Sequence, residues 1–407
     1  MKKQSSFILL TIHALALGFL PLAFLWAAPR FLSADQLAPF LQYWAAYNVI
    51  SLGFHGSVES LAPRILSHDG GVRKFSAISL IAIVLSVLAS GVYLFWVEVE
   101  APEIYFGIFI AMALSLLHSV GRGSAIHKGQ WGRFAGAAVA QSVVSVLTLA
   151  LLVSFFSPRI AHIFLSLAAG YIASIMVTIP SWRRSQILVL ESLNIIRNIE
   201  IKSIIQYLGF SSSLFMVLFI PVLPILLGTQ ISLSGETLLL LTVIPYLVRI
   251  GSTVGNAFTP LILSRYQLYP QKRRSTFTLH TFVMITPGII ALAATISLTP
   301  RLFEWYLDRE ITLSLTPVIL IGFAELLFSV SSVFRTYSLS AGGPTPQLFA
   351  WLLSGLYLVW ELSQAPSPVS LDIVSNLLFR AALLLNIILA ITLFLEKANP
   401  LRGNTRS

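Results

Sequence analysis

FSAISLIAIVLSVLASGVYLFW, residues 75–96, runs for 22 residues without a charged side chain, with Arg73-Lys74 just before it and Glu98 and Glu100 just after. About 20 mostly apolar residues suffice for a helix to cross a bilayer. A run this long and unbroken lacks the alternation of a lipid-facing strand. The stretch reads as a transmembrane helix with its basic end on one side and its acidic end on the other. Eleven further apolar stretches surround it, at 7–27, 37–57, 102–120, 134–156, 160–181, 204–228, 235–259, 277–297, 311–333, 346–360 and 373–395. The expected class is an all-α polytopic membrane protein of about 12 transmembrane helices. With 56% hydrophobic and 10% charged residues the chain has too little charge to coat a soluble domain of 407 residues.

Twelve spans alternate the connections between two sides, and the basic residues choose one of them. The side of the N-terminus collects Lys2, Lys3, Arg64, Arg73, Lys74, Arg122, Lys128, Arg133, Arg183, Arg184, Arg197, Lys202, Arg265, Lys272, Arg273, Arg274, Arg335, Lys397, Arg402 and Arg406, which is 20 of 26. Arg30, Arg159, Arg301 and Arg309 fall on the other side. The positive-inside rule then puts both termini in the cytoplasm. The net charge of +10 faces anionic headgroups, so a nucleic-acid partner is not expected. Residues 1–28 have some features of a signal peptide (Lys2-Lys3, an apolar run, Ala27-Ala28). The apolar run exceeds a usual signal core, so retention as the first span is expected.

Residues 182–203 form the least apolar long stretch between spans, with Val189, Leu193 and Ile196 at helical spacing beside Arg197 and Glu200. This reads as an interfacial helix, or a solvated linker, joining bundles at 1–181 and 204–396, with a cytoplasmic tail at 397–407. Weak echoes support a duplicated six-helix unit. Gly18-Phe19-Leu20-Pro21 is matched by Leu218-Phe219-Ile220-Pro221, Pro63-Arg64-Ile65-Leu66-Ser67 by Pro260-Leu261-Ile262-Leu263-Ser264, and Leu116-Leu117-His118-Ser119-Val120 by Leu326-Leu327-Phe328-Ser329-Val330. Six is even, so the halves would share orientation about a pseudo-two-fold axis along the membrane normal. Pro21 and the Pro221/Pro224 pair fall at matching places in the first helix of each half, where bends could gate the bundles or simply shape packing.

Charged groups within spans are functional candidates by default. Arg249, Glu325 and Arg380 stand out, and the N-terminal half has no Arg or Lys inside its expected spans. Arg249 and Glu325 each lie some way along their helices and could meet at one depth, with His13 near the same level; Arg380 is nearer the outside. A cationic cavity for an anionic headgroup is one reading, since a guanidinium donates two parallel hydrogen bonds to phosphate. An Arg249–Glu325 pair that only locks two helices is the other. In the second span Trp44, Asn48, Ser51, His55 and Glu59 make a polar stripe that faces a wet cavity or another helix. The expected substrate-binding set is Arg249, Glu325, Arg380, His13, Asn48 and His55. No metal or cofactor is expected, and with no cysteine there is neither disulfide nor thiolate. The longest outside loop, about a dozen residues near 298–310, is too short for a catalytic domain, so an enzyme is not expected.

The stretch Leu52-Gly53-Phe54-His55-Gly56-Ser57-Val58-Glu59-Ser60-Leu61-Ala62-Pro63-Arg64 resembles the multidrug/oligosaccharidyl-lipid/polysaccharide exporter superfamily, in particular its Wzx-type polysaccharide flippases. So does Gly121-Arg122-Gly123-Ser124-Ala125-Ile126-His127-Lys128-Gly129-Gln130-Trp131-Gly132-Arg133, and the 6+6 layout fits the whole chain. The resemblance implies alternating access that carries a polyprenyl-pyrophosphate-linked oligosaccharide between leaflets, a lipid-linked anionic glycan as substrate, and polysaccharide assembly proteins as possible partners. Two alternatives stay open. One is a small-solute or drug/cation antiporter, of the same superfamily or of major-facilitator type; Asp69-Gly70-Gly71-Val72-Arg73-Lys74 is faintly similar to the facilitator signature. The other, held more weakly, is a membrane-embedded polysaccharide polymerase.

Overall fold

In the computed structural model the described residues are 2–67, 70–97, 99, 101–157, 159–183, 201–228, 230–257, 262, 265–266, 270–307, 314–341 and 345–398. They form helices joined by short connections, and among them nine helices are long and apolar enough to cross a membrane. The first half comprises α1 (Lys2–Phe31), α2 (Ala34–Ile50) continued through one π-helical turn (Ser51–His55) into α3 (Gly56–Leu66), α4 (Gly71–Trp96), α5 (Pro102–His127), α6 (Trp131–Phe155) and α7 (Ile160–Arg183). The second comprises α8 (Ile201–Leu226), α9 (Gly235–Ala257), α10 (Arg273–Leu307), α11 (Leu315–Ala341), α12 (Thr345–Gln364) and α13 (Leu371–Ala398). Counting α2–π–α3 as one span gives twelve, and an even number brings residues 2 and 398 to the same face, here the terminus face. The chain is a multi-pass membrane protein.

The two halves pack by one plan. In the first, α7 lies against α5 and α6, α1 against α6, and the α2–α3 span against α4 and α5. In the second, α13 lies against α11 and α12, α8 against α12, and α9 against α10 and α11. Each contact has its counterpart, as a pseudo-two-fold along the membrane normal requires. Between lobes, α1 meets α9 and α2 meets α8, which the same rotation interchanges. The expected bundles are therefore present. The linker expected at 182–203 falls mostly on 184–200, outside the described residues.

One contact fixes the lobe interface near the π turn. A Cβ on Gly53 would lie 3.1–3.2 Å from the side chain and Cα of Phe215 in α8. The bare backbone admits α8 closely enough for Ser211 Oγ to donate to the Gly53 carbonyl at 3.1 Å. A large apolar core, drawn from both lobes, includes Phe24, Phe40 and Trp44 together with Ile220, Leu239, Ile244, Trp351 and Leu385. Outward-facing Val92, Phe95, Phe106, Leu147, Phe282 and Ile290 are exposed, as lipid-facing side chains are when the bilayer is the solvent.

Candidate functional site

The polar side chains buried in the first lobe form a chain that starts at the second span. The π turn inserts an extra residue into the helix and turns the polar stripe of this span inward. Ser51 Oγ lies 2.6 Å from Ser115 Oγ of α5. Fully buried His55 sits between two hydroxyls, with Nδ1 3.2 Å from Ser115 and Nε2 3.0 Å from Ser86 of α4. His55 therefore faces neighbouring helices, the second of the two readings of its stripe. Asn48 donates from Nδ2 to the Trp44 carbonyl at 2.7 Å, within its own helix.

One turn further on, Glu59 accepts a hydrogen bond from Arg122 Nη2 at 2.9 Å, the side chains being 17% and 6% exposed. Arg122 was expected in the connection after the fourth span. It is in fact inside α5, which continues to His127, and this overturns the expectation that the first half encloses no arginine. Gly123 explains the approach: a Cβ there would stand 2.6 Å from the Ala62 Cβ, so only glycine lets α5 and α3 close together. The same guanidinium donates to His13 Nε2 at 2.9 Å and His118 Nε2 at 3.0 Å. Arginine has no acceptor, so both imidazoles accept at Nε2 and carry their proton on Nδ1. For His118 that Nδ1 meets Ser174 of α7 at 2.6 Å. Phe134 of α6 closes the site, stacked on His13 at 4.1 Å and lying under Arg122 at 4.7 Å. His13 thus belongs to the Arg122 network of the first lobe, not to the level of Arg249.

The second lobe repeats the device with its charges exchanged. Arg249 of α9 grips Glu325 of α11 by two parallel hydrogen bonds, Nε to Oε1 at 2.5 Å and Nη2 to Oε2 at 2.9 Å. The arginine keeps 20% of its side chain exposed and the glutamate 6%. Tyr246, one turn before Arg249, places its ring 5.6 Å from the guanidinium carbon. In both lobes an ion pair therefore joins the second span to the fourth. In the first lobe the acid is on the second span; in the second lobe it is on the fourth. The internal echo aligns Ser115 with Glu325, and each bonds from the fourth span to the second. By helix rise, Arg249 lies about 21 Å and Arg122 about 30 Å from the start of their helices, so the two pairs differ in depth.

Arg380 is exposed on α13 and is not brought to either pair. A third arginine is enclosed instead. Arg335 of α11, expected in a connection, is 8% exposed and lies 5.3 Å from the Phe210 ring of α8. The signal for both missed arginines was present in the sequence: each stands two residues past the end of its apolar run, with only Gly121 or Phe334 between and no proline. Among the described residues no group of three or more His, Cys, Asp or Glu could hold a metal ion.

No family model matches the chain, and no curated protein matches it. Solved structures do. An outward-facing multidrug resistance MATE family transporter of the MOP superfamily superposes with a TM-score of 0.70 at 11% identity, covering 98% of this chain and 97% of that one. A Vibrio cholerae MATE transporter gives 0.68 at 13% identity, over 98% and 96%. The lipid II flippase MurJ, in an inward closed conformation, gives 0.60 at 13% identity, over 95% and 87%. At these identities the likeness concerns the fold: two six-helix lobes over nearly the whole chain.

Proposed function

We propose that this protein is a transporter that moves an anionic, lipid-linked substrate between leaflets by rocking its two lobes, with a polyprenyl-pyrophosphate-linked oligosaccharide as the substrate class. One observation carries the reading. Among the described side chains enclosed within the bundles, three arginines (Arg122, Arg249, Arg335) stand against two carboxylates (Glu59, Glu325). An enclosed excess of positive charge is unfavourable in hydrocarbon and becomes favourable when a substrate brings a negative one. A cation antiporter calls for the opposite balance. The shared fold of drug transporters and of a lipid II flippase accommodates either cargo, and the enclosed charge supports the anionic one.

In this mechanism the Arg249–Glu325 pair is the resting state of the second lobe. A diphosphate, although tetrahedral at phosphorus, offers pairs of anionic oxygens that accept two hydrogen bonds from one guanidinium as the carboxylate does, and so competes for the arginine fork. Rotation of the lobes about the α1–α9 and α2–α8 contacts then exchanges the side to which the substrate is open. The bias of basic residues supports a cytoplasmic terminus face, and the proposed substrate class goes with a bacterial inner membrane.

The test is lipid-linked oligosaccharide measured on each leaflet in a strain lacking the gene. The reading expects intermediates trapped on the cytoplasmic leaflet, released by the wild-type gene and not by Arg249→Gln expressed at equal level. Normal export in the deletion strain, with no redundant flippase present, would sink it. Proton-coupled efflux of organic cations by the purified protein would install the antiporter reading instead.

A further inference from the structure

Arg335 differs from the other two enclosed arginines in having no carboxylate partner among the described residues. Its Nε and Nη1 are buried without a hydrogen-bond partner, and its contact with Phe210 is to the ring face. An enclosed guanidinium with two unbonded nitrogens is among the costliest side-chain placements in a membrane protein. Its neighbours share the condition. His280 of α10, within electrostatic reach of Arg335, is buried with neither ring nitrogen bonded. Thr276 is one turn earlier on the same face of α10, and its buried Oγ1 is unpartnered. Tyr266 is fully buried with an unpartnered hydroxyl, its ring 6.4 Å from that of His280 and 5.8 Å from that of Tyr337, two residues past Arg335.

Buried polar groups are nearly always satisfied, so four in one place indicate something that satisfies them when bound. All four can donate: a guanidinium, an imidazole N–H and two hydroxyls. Such a set fits a compact oxyanion. We propose that Arg335, His280, Tyr266 and Thr276 form a binding site for a phosphate-type oxyanion at the terminus face of the second lobe.

Its position suits capture from that face. Arg335 is six residues from the end of α11 and Thr276 three residues past the start of α10. Arg265, next to Tyr266, and Lys272 and Arg274, just before Thr276, are exposed and raise the local concentration of anions. The site is about 15 Å along α11 from Glu325, so it is separate from the Arg249 pair. It also touches the lobe interface. Phe210, beneath Arg335, belongs to the same turn of α8 as Tyr207 and Ser211, which donate to the carbonyls of Phe54 and Gly53 in the first lobe. The site goes beyond the transport reading, because it stands whether the anion is cargo, a membrane headgroup or a soluble effector.

The test uses the full chain in phosphatidylcholine nanodiscs. Radiolabelled inorganic pyrophosphate is titrated in one arm, and tryptophan-detected thermal unfolding is compared with and without phosphatidic acid in the other. Either anion should bind or raise the unfolding midpoint. Arg335→Met should weaken that effect about tenfold or more, the loss expected for charge-assisted hydrogen bonds. Arg335→Lys should retain part of it, and Arg380→Gln all of it. Without anion, Arg335→Met should unfold no earlier than wild type, because it removes an unpaired charge. A response to pyrophosphate assigns a soluble anion; a response confined to phosphatidic acid assigns a headgroup. No response to either anion, an undiminished response in Arg335→Met, or a marked loss of stability of that variant without anion would overturn the proposal.

Discussion

Arg122→Met should be among the most damaging single substitutions in the first lobe, and adding Glu59→Gln should partly repair it. The arginine bridges α5 to α3 through Glu59 and to α1 through His13, and it also holds His118 on its own helix. Removing it leaves a carboxylate, 17% exposed, without its cation. Breaking a buried pair costs about 3–5 kcal/mol, and the partial exposure of Glu59 favours the lower end. Two imidazole acceptors also lose their donor, at about 1 kcal/mol each. The sum is about 5 kcal/mol. Glu59→Gln alone keeps an oxygen for Arg122 and both histidine contacts, so about 3 kcal/mol is expected. In the double variant no unpaired charge remains, and its cost should fall below that of Arg122→Met alone. The chain has no cysteine, so thiol dyes are blind to its unfolding, but its eight tryptophans report equilibrium denaturation in mixed micelles. Additive effects in the double variant, or an Arg122→Met within about 1 kcal/mol of wild type, would refute the network as a stabilising unit.

Gly53→Ala sets a Cβ against the Phe215 side chain and backbone, so it should lower stability by about 1–3 kcal/mol, and Phe215→Ala in the same chain should recover part of the loss in the same denaturation assay. His55→Ala leaves Ser86 and Ser115 without their shared partner and should cost about 1–3 kcal/mol by tryptophan-detected unfolding, with substrate affinity unchanged because His55 faces helices. Glu325→Gln removes the carboxylate that competes for Arg249. It should tighten binding of a diphosphate-bearing lipid in a direct binding titration while slowing its release.

The fold was legible because membrane helices announce themselves. The twelve expected stretches fall on helices, counting α2–π–α3 once, and nine of those helices are long and apolar enough among the described residues to cross a membrane. The duplication was legible in three short echoes, and the lobes repeat each other's contacts accordingly. The candidate site was less legible. The apolar runs stop short of Arg122 and Arg335, so hydropathy alone places both in connections. Helices extend beyond such runs when a polar side chain finds partners inside the bundle, as Arg122 does in Glu59, His13 and His118. The stripe from Trp44 to Glu59 assumed an unbroken helical period, and the π turn at Ser51–His55 alters the register. Only the Arg249–Glu325 juxtaposition could be foreseen, because two lone charges of opposite sign in adjacent hydrocarbon segments have few other partners.

Relative motion of the lobes during passage of an anionic lipid is tested most directly with a cysteine pair in this cysteine-free chain. A Cβ on Gly56 would lie 3.6 Å from Leu214 across the lobe interface. Gly56→Cys with Leu214→Cys can therefore be joined by a short thiol cross-linker in proteoliposomes carrying a polyprenyl-pyrophosphate oligosaccharide. The account expects flipping by the reduced protein, arrest on cross-linking and recovery when a cleavable linker is cut. Unchanged flipping in the fully cross-linked protein would contradict the motion, and an absence of flipping by the uncross-linked wild-type chain would contradict the substrate.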